Sequence, residues 1–337
     1  MIYPDFIMEG NTIGVCAPSS GITREEKVSK LNCALDKFKE QGYLVLETNH
    51  VRANINGVSC DAKTRAKELE SLYLNKDVKT IICATGGEFL LEMLPYFDFS
   101  CIQKNVKWLQ GYSDPTGLLF VITTSYDIAT IYGNNFSGFG MNSWHESLQN
   151  NLDILEGNLI IQKSFLLYES GNTSSLKETD GYMLDTPVMW KNLKGEETIT
   201  FSGRMIGGCI DILTDLFGTR FDHVKEFITK YKDDGIVWYF DNCELSCEDL
   251  VRTLWKFKDN GWFSYCKGII FGRTFPSSAY LGLTLEDAIN RVLGDSAIPI
   301  IIDVDLGHIP PRMTIINGAY VTITSQNGKG TMEFLLK

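Results

Sequence analysis

The stretch VKTIICATGG at residues 78–87, followed by EFLLEMLPYF at 88–97, sets the reading of the chain. Val78 to Ala84 is a short run that is β-branched or apolar at most positions, and Gly86-Gly87 ends it as a turn. EFLLEMLPYF then reads as a helix stopped near Pro95. A strand apolar on both faces that feeds a helix belongs to a parallel sheet covered by helices.

The same rhythm extends to both sides. Upstream, NTIGVCAPSS (11–20) reads as a strand and REEKVSKLNCALDKFKEQGY (24–43) as a helix with Gly42 near its end. YLVLETN (43–49) is a second strand and DAKTRAKELESLYLN (61–75) a helix. Downstream, VKWLQGYSD (106–114) is another strand. The segment 162–185 is rich in Ser, Thr, Gly and charge and breaks the pattern. The expected organisation is α/β: an N-terminal parallel-sheet domain over 1–160, a linker over 161–185, and a C-terminal mixed α/β domain over 186–337. In the second half FSGRMIGGCIDILTDLFG (201–218) reads as a turn entering a helix. The strand GIVWYFDN, the helix SCEDLVRTLWKFKDNG, the strand CKGIIFG, the helix LEDAINRVLGD and IPIIIDVD follow.

At 337 residues the chain is long enough for about two domains. Its formal net charge of −11 and lack of a basic run argue against nucleic-acid or anionic-membrane partners. No apolar window suits a membrane span, and Asp5 and Glu9 stand where a signal peptide needs apolar residues. Nine scattered cysteines, an odd number, read as free thiols in a reducing compartment, so a cytoplasmic location is expected. Cys243 and Cys247 have no second Cys/His pair near them in sequence, which argues against zinc there.

In parallel α/β sheets, ligands gather at the carboxyl ends of strands. Four groups stand there. Ser113 lies between the strand VKWLQ and Asp114-Pro115, where Pro115 suits a first helical position and Asp114 an N-cap. A hydroxyl on such a turn resembles a nucleophile elbow without the second glycine, and a serine there is also an ordinary turn residue. Gly86-Gly87 exposes backbone N–H groups suited to an oxyanion, or makes a tight turn. Glu244, beside Asp241, precedes the capping pair Ser246 and Asp249, and reads as a carboxylate that orients an imidazole or as a solvated acid. His308, between Gly307 and Ile309-Pro310-Pro311, is the most plausible general base among four histidines, or else a surface or packed side chain. Together these are parts of acyl-transfer chemistry.

With those residues in hand, the chain resembles the LD-carboxypeptidase family of serine peptidases, which includes the microcin C immunity peptidases. The resemblance rests on GNTIGVCAPSS, ATGG, GYSDPTGLL (111–119), SGRMIGGCIDILTDLFGT (202–219), FDNCELSCEDLVRTLWKFKDNG (240–261), GIIFGR (268–273) and DVDLGHIPPRMTIINGA (303–319), in the family's order. It implies a Ser-Glu-His triad carried by Ser113, Glu244 and His308. It also implies an oxyanion hole from the N–H groups of Gly87 and Asp114, with Gly86 less favoured. The active site would lie at the domain interface of a homodimer-forming enzyme that needs no metal or organic cofactor. The chain departs from the family pattern at Thr85, at Ile309-Pro310-Pro311-Arg312 and at Ile316-Asn317-Gly318. The implied substrate is a small peptide, a murein tetrapeptide trimmed during wall recycling, or an aminoacyl-nucleotide toxin. Trp190 in WKNL resembles the immunity branch, where an aromatic stacks on a base; packing is the other reading. A binding module that has lost turnover is the competing class.

Overall fold

The computed structural model describes residues 1–159, 161–171, 179–274 and 279–337, so 172–178 of the expected linker lie outside the described residues. The chain forms two compact units. The first comprises the described residues of Met1–Ile160, Asn172–Met183 and Met313–Asn317. The second comprises those of Ile161–Gly171, Leu184–Arg312 and Gly318–Lys337.

In the first unit the strands are β1 (Thr12–Cys16), β2 (Leu44–Glu47), β3 (Val78–Cys83), β4 (Trp108–Gly111) and β5 (Thr130–Tyr132). The helices are α1 (Glu25–Glu40), α2 (Ala62–Leu74), α3 (Ser100–Lys104), α4 (Thr116–Tyr126) and α5 (Glu146–Leu155). The strands pair in the order β2-β1-β3-β4-β5, all parallel. Ile315–Asn317, from far along the chain, adds an antiparallel edge to β5. Ile13, Val15, Ile81, Ile82, Trp108 and Leu109 are fully buried, as two-sided coverage requires. Helix α4 is buried from Thr116 through Thr124 and is apolar all round, which makes it a core helix.

One helix differs from its reading. EFLLEMLPYF forms only a 3₁₀ segment, Leu90–Tyr96, which includes Pro95. A proline inside removes a donor and crowds the preceding turn, so the apolar stretch stays short.

The second unit carries β6 (Gln162–Lys163), β7 (Leu167–Tyr168), β8 (Thr186–Pro187), β9 (Lys191–Asn192), β10 (Thr198–Cys209), β11 (Ile236–Asp241), β12 (Cys266–Gly272) and β13 (Ile300–Val304). Ile315–Asn317 of the first unit is β14, and β15 (Tyr320–Gln326) and β16 (Lys329–Leu335) close the chain. Its helices are α6 (Ile210–Leu216), α7 (Val224–Lys230), α8 (Cys247–Asp259) and α9 (Leu285–Leu293). The main sheet runs β6-β16-β15-β10-β11-β12-β13-β9, parallel from β10 to β13 and antiparallel on both flanks.

FSGRMIGGC, read as a turn, is instead most of the long strand β10. Its glycines are there for clearance. A Cβ on Gly207 would run into the backbone carbonyl of Tyr239 on the neighbouring strand. Both units are thus mixed α/β with parallel strands at their centre. No described helix is long and apolar enough to cross a membrane.

Candidate functional site

In the first unit the strand order reverses direction between β1 and β3, so ligands are expected at the carboxyl ends of these strands. Three loops leave the sheet there or next to it. Ser19 and Ser20 follow β1, Gly86 and Gly87 follow β3, and Ser113 and Asp114 follow β4. Ser113 is half-buried and has φ of +68°. A side-chain-bearing residue in that region stores strain, which structures tolerate mostly at functional turns. A Cβ on Gly86 would lie 3.2 Å from Ser113 Oγ, so the missing side chain keeps space open beside the hydroxyl. The Ser20 N–H donates to the Gly86 carbonyl at 3.3 Å. Because the peptide is planar and trans, the Gly87 N–H of the same unit points the other way.

Asp114 is not the side-chain cap expected of it. Helix α4 begins at Thr116 after Pro115 with no side-chain cap. The buried Asp114 carboxylate instead accepts from the Leu90 N–H at 2.9 Å and from the Ser19 hydroxyl. It ties the β1, β3 and β4 loops together.

In the second unit, His308 sits on the turn after β13 with its side chain 15% exposed. Its Nδ1 lies 2.9 Å from Oδ2 of Asp241, whose side chain is fully buried. The carboxylate at this distance from the imidazole is that of Asp241. Asp241 is the last residue of β11, inside the sheet, whereas Glu244 is three residues on and exposed. The Glu244 N–H is drawn onto Asp211 Oδ1 at 2.9 Å, together with the N–H groups of Cys243 and Leu245 on the same carboxylate. Asp211 thereby sets the loop's path. Gly307 fits the same picture: its φ is +95°, and a Cβ there would collide with Asp241 Oδ1.

Two arginines fix the His308 turn. Arg312 donates to the carbonyls of Gly307 at 2.7 Å and His308 at 3.3 Å. Arg273 pairs with the buried Asp305 at 2.5 Å and donates to the carbonyls of Ile309 and Pro311. Burial pushes the Asp305 carboxyl above its ordinary range, and Arg273 opposes that shift.

Trp190 belongs to this framework. It is 2% exposed, its indole N–H donates to Asp305 Oδ2 at 2.8 Å, and its ring lies over Gly330, where a Cβ would collide with it. A ring covered in this way offers no face to a base, which favours the packing reading over stacking. Ser246 does cap α8, accepting the Asp249 N–H at 3.1 Å. Sequence reasoning passed over Asp241. An acid closing the otherwise apolar strand IVWYFD was the available signal, because a buried charge requires a partner.

Residues 13–133 match the LD-carboxypeptidase N-terminal domain and residues 202–323 the LD-carboxypeptidase C-terminal domain. The Microcin C7 self-immunity protein MccF of Escherichia coli is 24% identical over 94% of this chain and 92% of its own. The probable murein peptide carboxypeptidase of Bacillus subtilis is 22% identical over 98% and 94%. The structure of MccF in complex with aspartyl sulfamoyl adenosine superposes with a TM-score of 0.83 at 20% identity, covering all of both chains. With both family domains matched in order across two α/β units, the chain belongs to the LD-carboxypeptidase family and is a serine-type carboxypeptidase hydrolase.

Proposed function

We propose that the chain cleaves an amide bond with Ser113 as nucleophile, His308 as general base and Asp241 as the carboxylate that orients it. The observation that carries this reading is the buried Asp241 carboxylate 2.9 Å from His308 Nδ1. That contact leaves Nε2 to take the serine proton.

His308 accepts the Ser113 proton as Oγ attacks the scissile carbonyl, and the N–H groups of Gly87 and Asp114 hold the oxyanion. Gly86 keeps clear the space beside Oγ. The proton passes to the leaving amine, the C–N bond breaks, and water, deprotonated by His308, releases the acyl group from Ser113.

The substrate class proposed is a murein tetrapeptide losing its terminal D-residue; the Bacillus subtilis relative is named a probable murein peptide carboxypeptidase. MccF has been solved with an aminoacyl sulfamoyl nucleoside, but burial of Trp190 removes the residue on which a nucleotide preference was read here. The test is hydrolysis of a murein tetrapeptide beside an aminoacyl sulfamoyl adenosine, with wild type and Ser113→Ala. Release of the terminal D-residue by wild type alone is expected. Turnover of the adenosine compound only would overturn the substrate class, and wild-type rates in Ser113→Ala would overturn the mechanism.

A further inference from the structure

We propose that His50, Cys60 and Glu68 form a binding site for a zinc-class divalent ion in the first unit, away from the residues assigned to peptide cleavage. Among the described residues this is the one group of three or more His, Cys, Asp or Glu side chains whose ligand atoms converge, all lying within 4.8 Å of one another. Zinc binds sulfur at about 2.3 Å and nitrogen or oxygen at about 2.0–2.2 Å, so donors on a tetrahedron stand roughly 3.3–3.8 Å apart. The present separations, from 2.6 Å up to no more than 4.8 Å, lie within about 1 Å of that spacing. His50 Nδ1 and Glu68 Oε1 are at present 2.6 Å apart, and an ion would open this pair as it takes a lone pair from each.

The donor types select the ion. One thiolate, one imidazole and one carboxylate suit zinc or cobalt(II), and disfavour magnesium and calcium, which take oxygen donors. The thiol proton of Cys60 goes to solvent when the metal–sulfur bond forms. Three protein donors leave the fourth position to water.

The frame behind these donors is built from three segments. Cys60 immediately precedes Asp61, whose carboxylate caps α2 through the Lys63 and Thr64 N–H groups at 3.1 Å. Glu68 lies two helical turns further along α2 with its side chain 12% exposed, and His50 lies in the turn after β2 with 38% exposed. The site is thus reachable from solvent. The same turn region grips the loop after β1: Ser59 donates to the carbonyls of Ser19 at 2.9 Å and Ala17 at 2.7 Å, and Ser20 donates to the Gly57 carbonyl at 2.6 Å. An ion joining His50 to α2 would brace the loop that supports Gly87. Its role is structural, and the inference stands apart from the peptidase mechanism.

The test uses the metal-stripped full-length protein titrated with cobalt(II) and then zinc. One cobalt per chain is expected, with a near-ultraviolet thiolate-to-cobalt charge-transfer band that zinc displaces. Cys60→Ser should abolish the band. His50→Asn and Glu68→Gln should each weaken zinc at least as much as the ~10–100-fold that loss of an outer-shell partner costs. Cys243→Ser should change nothing, and zinc should raise the melting temperature of wild type but not of the three site variants. If Cys60→Ser fails to fold, the His50 and Glu68 variants, both altered at partly exposed positions, carry the test. Absence of saturable one-to-one binding, or a band and affinity unchanged in the site variants, overturns the proposal.

Discussion

Replacing Asp241 by Asn separates the proposed triad from the one read in sequence, and the size of the expected effect follows from the geometry. The Asp241 side chain is fully buried with Oδ2 2.9 Å from His308 Nδ1, so water does not screen the pair. At an effective dielectric near 20, opposite charges at that separation attract by roughly 5–6 kcal/mol. That attraction matters when His308 becomes an imidazolium in the transition state. At about 1.36 kcal/mol per decade it corresponds to about 10⁴ in rate, similar to the effect of removing the orienting carboxylate in other serine triads. The expected result is a fall in kcat of about 10⁴ for Asp241→Asn with KM little changed. Asn keeps the volume of Asp, so the melting temperature checks that the fold survives. Glu244→Gln should retain near-wild-type kcat, because that side chain is exposed and only its backbone N–H is engaged, by Asp211. The assay is D-residue release from a murein tetrapeptide, both variants side by side. A loss confined to Glu244→Gln would refute the reasoning and restore the sequence-level assignment.

Gly307→Ala should lower kcat strongly at modest cost in stability, since its Cβ displaces the Asp241 carboxylate and φ is +95°; an unchanged kcat would show that the contact is irrelevant. Ser113→Gly and Ser113→Ala should both be inactive, but the glycine variant should be more stable than the alanine one by about 1 kcal/mol, because φ of +68° strains any residue with a Cβ. Urea unfolding of the pair checks this, and equal stabilities would count against stored strain at the turn. Trp190→Ala should cost ~3–5 kcal/mol of stability with no selective loss of affinity for an aminoacyl-adenylate analogue, measured by calorimetry on folded protein. Burial, with help from Lys79, pushes the Lys107 ammonium down to about 8. The unfolded chain then holds that proton up to about 10.4 while the folded chain releases it near 8. Lys107 therefore costs stability below pH 8, by at most about 3 kcal/mol, and the cost fades as pH rises toward 10.4. Lys107→Met should accordingly look better relative to wild type at pH 7 than at pH 10, although it gives up bonds to the carbonyls of Leu72 and Asn75; a pH-independent difference would contradict the assigned direction.

The parts of the fold that could be read in sequence are those where local pattern and burial agree. Strands β1, β3 and β4 are apolar on both faces because helices cover both sides of their sheet, and that composition survives any ambiguity of periodicity. Strand β10 was misread for the opposite reason. Its glycines carry no side-chain signal of their own, and the demand for them comes from the Tyr239 carbonyl on a neighbouring strand, which sequence does not display. The return of Ile315–Asn317 to the edge of the first unit's sheet is likewise a long-range fact. It pairs with Thr130–Tyr132, and nothing in the intervening chain announces it.

The site divides along a similar line. Ser113 and His308 stand on turns whose flanking prolines and glycines mark them locally, so their positions were legible. The choice between Asp241 and Glu244 was not a matter of residue type, because the two carboxylates are three positions apart near one strand end. In the proposal made above it turns on where the strand stops. Asp241 stays in register with Cys209 on β10, inside the sheet, and its burial makes a charged partner obligatory. Glu244 lies past the last strand residue, where Asp211 gathers the backbone N–H groups of the loop and leaves the glutamate side chain exposed. A strand boundary uncertain by two or three residues is usually harmless to a fold assignment. Here the same uncertainty moves the carboxylate from the interior to the surface, and with it the group proposed to hold a proton-accepting imidazole in place.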